Sequence, residues 1–127
     1  PNKVPKEYRG FLKQCIEIIE ENMDKEDFSV KDLSSRMGMS HSGLYKKIRE
    51  ISGQSISTFI RSVRLRKAAM LLLTEDINIS EAAIRVGISD SKYFRRQFKA
   101  LFGMIPSEYI KRYKNTFSKE LNIIQKP

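Results

Sequence analysis

Little in this chain can carry out chemistry. Its 127 residues include one cysteine, one histidine and no tryptophan. A lone Cys15 cannot close an internal disulfide, a lone His41 excludes a histidine metal cluster, and no Cys-His pair or histidine-based triad is read in the sequence. There is no glycine-rich phosphate loop. No apolar run approaches the ~20 residues of a membrane-spanning helix, and the first residues lack the pattern of a secretory signal. Catalysis, a metal and a cofactor are therefore not expected, nor is a small-molecule site in this piece. A reducing cytoplasm is the expected compartment. The chain opens at Pro1 without a methionine and reads as a piece of a longer protein, whose other domains could anchor it to a membrane.

Positive charge is what the chain has in excess. Lysine and arginine number 24 against 15 acids, a net of +9, and the excess is uneven. Residues 1–28 hold 5 basic and 7 acidic side chains, while residues 29–127 hold 19 and 8. A basic surface of that size favours a polyanionic partner, either nucleic acid or an anionic membrane. A chain of this length can also bury roughly two-thirds of its unfolded surface, so a true core is available to it.

The apolar residues follow helical spacing. Over residues 7–23, Tyr8, Phe11, Leu12, Cys15, Ile18, Ile19 and Met23 recur at intervals of three and four, with Glu17, Glu20 and Glu21 between them. Cys15 then reads as a small core residue and the glutamates as a solvated face. Two helix starts follow in parallel. Ser29 precedes Asp32, and Asn78 precedes Glu81, each a capping side chain three residues ahead of a carboxylate. Each short helix stops at a glycine, Gly38 or Gly87, and helix resumes three or four residues later, which is the helix-turn-helix layout.

The two copies match residue by residue. At an offset of 49, residues 29–40 align with residues 78–89. At an offset of 50, Leu44, Ile48, Ile51 and Gly53 align with Phe94, Phe98, Leu101 and Gly103. Between them, residues 56–74 contain neither glycine nor proline. The first half of that segment carries one apolar stripe, Ile56, Phe59, Ile60 and Val63, with Arg61 and Arg64 off it, and is expected half-exposed. The second half, "AAMLLL", is expected buried. These residues make a rod of about 28 Å, against a spacing of ~34 Å between successive major-groove segments on one face of DNA.

The reading is an all-α chain of about seven helices, with two helix-turn-helix subdomains joined by a long central helix. The expected divisions are 1–28, an extension and first helix packed on the first subdomain; 29–55, the first helix-turn-helix; 56–74, the linker helix; 75–114, the second helix-turn-helix and a closing helix; and 115–127, a short tail, helical at most in part.

In "SKYFRRQFKALF" most rings belong to the buried face, through Phe94 and Phe98, and the cations lie opposite. In the first copy Ser42, Tyr45, Lys46, Lys47 and Arg49 are expected outward. An α-helix fits the major groove of B-DNA, and the first turns of the second helix come nearest the bases. Ser42, Tyr45, Lys46, Ser91, Lys92, Arg95 and Arg96 are therefore the candidate base readers. Arg49 and Lys99 lie further along and are candidates for phosphate, as are His41, in the turn before the first recognition helix, and Arg61 on the linker helix. RNA is disfavoured because the A-form major groove is too narrow. The competing reading is a basic protein- or membrane-interaction module without sequence-specific DNA reading, which would not need two capped, spaced helix-turn-helix units.

The run from Phe28 to Lys114 resembles the DNA-binding domain of the AraC/XylS family of bacterial transcription regulators. The match rests on "SVKDLSSRMGMS", "LYKKIREISGQSISTFIRSVRL", "NISEAAIRVGISDSKYFRRQFKALFG" and "PSEYIKRY". Within the second unit, Ala83, Gly87, Tyr93, Phe94, Phe98, Lys99, Gly103, Pro106 and Tyr109 fall where the family pattern has them. The resemblance implies seven helices and binding to two adjacent major-groove segments of double-stranded DNA. It places base-reading positions on Ser42, Tyr45, Lys46, Ser91, Lys92 and Arg96. The acidic helix ahead of Ser29 resembles members in which this domain ends a response regulator or hybrid two-component protein, with a sugar-sensing cupin-like partner domain as the alternative. The resemblance implies a transcription regulator, activator or repressor, with RNA polymerase as a partner and dimerisation through domains outside this piece. Two positions depart from the pattern. Gly43 lies within the first recognition helix, at a cost of up to ~1 kcal/mol relative to alanine, and Ile88 stands where the family commonly has phenylalanine.

Overall fold

The computed structural model describes residues 5–125, with side chains described for residues 5–116. Among the described residues there are seven α-helices and no strand: α1 (Lys6–Glu21), α2 (Val30–Arg36), α3 (His41–Ser52), α4 (Ile56–Thr74), α5 (Ile79–Arg85), α6 (Ser91–Phe102) and α7 (Pro106–Gln125). The chain divides into two compact units, with the boundary between Arg64 and Leu65, inside α4.

In the first unit α1 packs on α2 and α2 on α3. The start of α2 is fixed by a reciprocal cap. The Ser29 hydroxyl accepts from the Asp32 backbone N–H at 3.3 Å, and the Asp32 carboxylate accepts from the Ser29 N–H at 2.9 Å. Donation to the carboxylate from the Ser29 backbone N–H, and from the Ser29 hydroxyl at 3.0 Å, holds the Asp32 carboxyl below the usual carboxylate range. At the other end Gly38 takes φ 65, which lets the chain reverse. Its N–H donates to Ser35 O at 3.1 Å and the Met39 N–H to Ser34 O at 3.0 Å, the two bonds of a Schellman stop. The core of the unit is Cys15, Ile19, Leu33, Leu44, Ile48 and Ile56, each 2% exposed or less.

The second unit repeats this construction. The Asn78 side chain accepts from the Glu81 N–H at 2.8 Å, and the Glu81 carboxylate reaches back to the Asn78 N–H at 3.4 Å. After α5, Gly87 (φ 78) donates to Ile84 O at 3.0 Å and Ile88 to Ala83 O at 2.9 Å. Ile88 is buried, the apolar contact that accompanies such a stop; a branched aliphatic fills the place as an aromatic would. α5 packs on α6 and α6 on α7. Phe98 stands at the centre, with its ring 5.8 Å from Phe94, 4.5 Å from Phe102 and 5.3 Å, edge-on, from Tyr109.

Three features differ from the sequence expectation. Arg64, expected off the apolar stripe, is buried at 5% exposure. Position 64 falls on the buried row of Ile60, Ala68 and Leu72 in α4, and its guanidinium is satisfied there by backbone carbonyls. Met70, in the run expected to be buried, is exposed, because a run apolar all round must still turn one side of its helix outward. Residues 115–125, read as part of a tail, continue α7. No glycine or proline interrupts the chain between Pro106 and Pro127, so nothing stops the helix at Tyr113. Residues 126–127 lie outside the described residues.

Candidate nucleic-acid interface

The two recognition helices are built alike. Each begins on a polar cap: Ser40 Oγ accepts from the Gly43 N–H at 3.1 Å, and Asp90 Oδ1 from the Tyr93 N–H at 3.1 Å. Each ends on a left-handed glycine, Gly53 or Gly103. Over ten residues their burial is the same position for position. Leu44 and Ile48 in α3, like Phe94 and Phe98 in α6, are fully buried; in the last turn Ile51 and Leu101 are half-buried.

The polar residues fall on the remaining faces. His41, Ser42, Tyr45, Lys46 and Arg49 of α3 are exposed, and so are Ser91, Lys92, Arg95, Arg96 and Lys99 of α6. Each helix thus gathers its own candidate readers on its solvent side. Arg61 stands apart. It is half-buried on α4 and donates to the Thr58 hydroxyl at 3.4 Å, so it belongs to neither recognition helix.

Lys47, expected outward, turns to the first helix. Its ammonium sits 4.5 Å from the centre of the Phe11 ring of α1, a cation–π contact across the back of α3. Nearby, the Tyr8 hydroxyl donates to Glu50 Oε1 at 3.3 Å, and the Glu50 charge raises the phenol's pKa. α1 therefore braces α3 through Lys47 and Glu50.

Sequence reasoning missed two supporting residues. Asn22, which closes α1, is buried and donates from Nδ2 to Ile18 O at 2.8 Å. Arg64 donates to Met23 O at 2.9 Å and to Lys25 O at 2.8 Å, tying the connection between α1 and α2 to α4. For Arg64 a signal was present in the four-residue row of buried positions; for Asn22 there was none. Among the described residues no group of His, Cys, Asp or Glu is arranged to hold a metal, and no helix is long and apolar enough to cross a membrane.

A family model described as "Helix-turn-helix domain" matches residues 33–112, from the α2 core residue Leu33 through both recognition helices into α7. A probable AraC family transcriptional regulator from Rhodopseudomonas palustris superposes with a TM-score of 0.65 at 30% identity, over 79% of this chain and 94% of that one. The chain belongs to the AraC/XylS helix-turn-helix family. Members of this family are DNA-binding transcription regulators.

Two other likenesses bear on the AraC-type domain. The crystal structure of the DNA-binding domain of AdpA, a global transcriptional factor, in complex with a target DNA matches with a TM-score of 0.71 at 25% identity, over 83% of this chain and 94% of that one. Histidine kinase P4 of Formosa agariphila is 39% identical over 106 residues, 84% of this chain. The chain spans only 8% of that kinase's length, and 30 to 38% of the length of several transcription regulators that it also matches.

Proposed function

We propose that this AraC-type domain binds double-stranded DNA sequence-specifically, with α3 and α6 each entering the major groove, and that it is the DNA-reading part of a bacterial transcription activator. The observation that carries this is the repeated helix face, with the same buried back and the same exposed polar and cationic front in both recognition helices. The AdpA domain, solved on its target DNA, supports the same reading.

Ser42, Tyr45 and Lys46 read bases in one half of the site, and Ser91, Lys92, Arg95 and Arg96 in the other. His41, Arg49, Arg61 and Lys99 hold phosphates. Arginine can bond two acceptors of one guanine, whereas serine and tyrosine hydroxyls accept several base edges. The two helices carry different readers, so one chain reads an asymmetric site. The 39% identity with part of a histidine kinase supports a place in a two-component protein acting in the cytoplasm. There the larger protein supplies the signal, any dimerisation and the contact with RNA polymerase.

Selection of bound duplexes from a random library of about 30 base pairs, long enough for two boxes one helical turn apart, tests the reading. Two unlike enriched boxes ~10 base pairs apart are expected. Retention on anionic vesicles with no retention of duplex DNA would replace it with the membrane-interaction reading.

A further inference from the structure

We infer that Tyr93 is a positioning residue for specificity: its ring holds the Arg96 guanidinium in a base-reading pose, and the first recognition helix lacks the same device. This rests on the reading of α6 as a base-reading helix.

The Arg96 guanidinium carbon lies 5.7 Å from the centre of the Tyr93 ring, three residues earlier on α6. That distance and spacing are those of a stacked i,i+3 cation–π pair. Arg96 is exposed while Tyr93 is half-buried, so the anchored ring limits the motion of the freer group. A guanidinium bonds the two acceptors of a guanine only in one plane. An exposed arginine samples many planes and loses that freedom on binding. Stacking on Tyr93 removes part of the loss in advance, and the gain appears only where a base requires the plane.

The matching position of α3 is Gly43, which precedes Lys46 by three residues. A Cβ there would stand 3.0 Å from the Ser40 hydroxyl that caps the helix, so the first turn of α3 closes tightly on its cap. Gly43 has no side chain to place beneath Lys46. An ammonium is also a point charge with no plane to orient, so a ring there would gain less. Tyrosine is paired with arginine in one helix, glycine with lysine in the other. The half-site read by α6 should therefore carry more sequence information than the half-site read by α3.

The test compares the unsubstituted protein with Tyr93→Phe and Tyr93→Leu on the duplex library, and by side-chain NMR of the free protein. The base pair read by Arg96 is the one whose preference disappears in Arg96→Ala. Tyr93→Phe should retain guanine preference there, and Tyr93→Leu should lose roughly two- to fivefold of it, as expected of an exposed cation–π pair. Affinity for random duplex should stay unchanged in both. The Arg96 side-chain resonances should carry a ring-current shift in the unsubstituted and phenylalanine proteins and lose it in the leucine variant. Equal weakening on every duplex by Tyr93→Leu would make the ring merely structural and overturn the proposal, as would a leucine variant with full guanine preference. Failure of Tyr93→Phe to hold the preference, or no ring-current shift in the unsubstituted protein, would also overturn it. An unsubstituted protein with the shift but no base preference would overturn the base-reading function, and this proposal with it.

Discussion

Arg64, a residue only 5% exposed, donates a hydrogen bond of 2.9 Å to the carbonyl oxygen of Met23. The second bond, to Lys25 O, completes a clamp from α4 onto the connection between α1 and α2. Burial lowers the guanidinium's pKa, opposed by the nearby Glu26 charge, but an arginine remains protonated throughout the working range.

Replacing Arg64 with methionine should therefore cost about 1.5 to 3 kcal/mol, the range for hydrogen bonds to a charged group whose acceptors are left buried. Arg64→Lys should recover only part of this, since an ammonium cannot span both carbonyls with the arginine fork. Urea denaturation of the three proteins measures it. Equal stability of the methionine variant would show that the carbonyls find other partners.

Arg96 and Arg49 should separate specific from general binding. Arg96→Ala is expected to cost about 1 to 3 kcal/mol on the selected site and to relax preference at one base pair, whereas Arg49→Ala should weaken all duplexes alike and flatten the salt dependence. Titrations on selected and random duplexes at several salt concentrations distinguish the two. The division into readers and phosphate contacts fails if both variants lose equally on both duplexes.

Cys15 should be inert in the folded protein and make it sensitive to alkali. Burial pushes its thiol up to about 11, with Lys47 acting weakly in the opposite direction, so the neutral thiol is favoured in the core. In the unfolded chain it ionises near its ordinary value of about 8.5. The stabilisation is thus fully present below that value and is lost as pH rises towards 11. Cys15→Ala should show less alkaline loss, even if less stable at neutral pH. Iodoacetamide at pH 8 should label the native thiol far more slowly than the thiol in urea.

Phe98 anchors the second unit. Phe98→Ala should cost about 3 to 5 kcal/mol, the range for removing a fully buried ring, and Phe98→Leu distinctly less. Thermal and urea unfolding give both values, and a loss below 1 kcal/mol in the alanine variant would mean that Phe94, Phe102 and Tyr109 close the cavity.

The order of helices could be read in the sequence because local chemistry sets it. Ser29 and Asp32, Asn78 and Glu81, and the glycines at 38 and 87 act within a turn or two of the backbone, so their bonds are fixed by neighbours along the chain. Three- and four-residue periodicity likewise assigned Leu44, Ile48, Phe94 and Phe98 to the core and the cations to the opposite faces.

Tertiary packing decided what sequence spacing could not. Arg64 is buried because the carbonyl oxygens of Met23 and Lys25, far away in sequence, accept its protons; the row it falls on showed the burial but not these partners. Lys47 leaves the outward face because α1 offers it the Phe11 ring across a sequence separation that no local rule bridges. Arg96 and Tyr93 sit three residues apart in any helix, but that the ring is half-buried while the guanidinium stays exposed was set by folding. Amino-acid order thus determined the helices, their caps and their charged faces through short-range bonds. Which polar groups are buried, and which cations are held in place, depended on long-range contacts that exist only once the chain has folded.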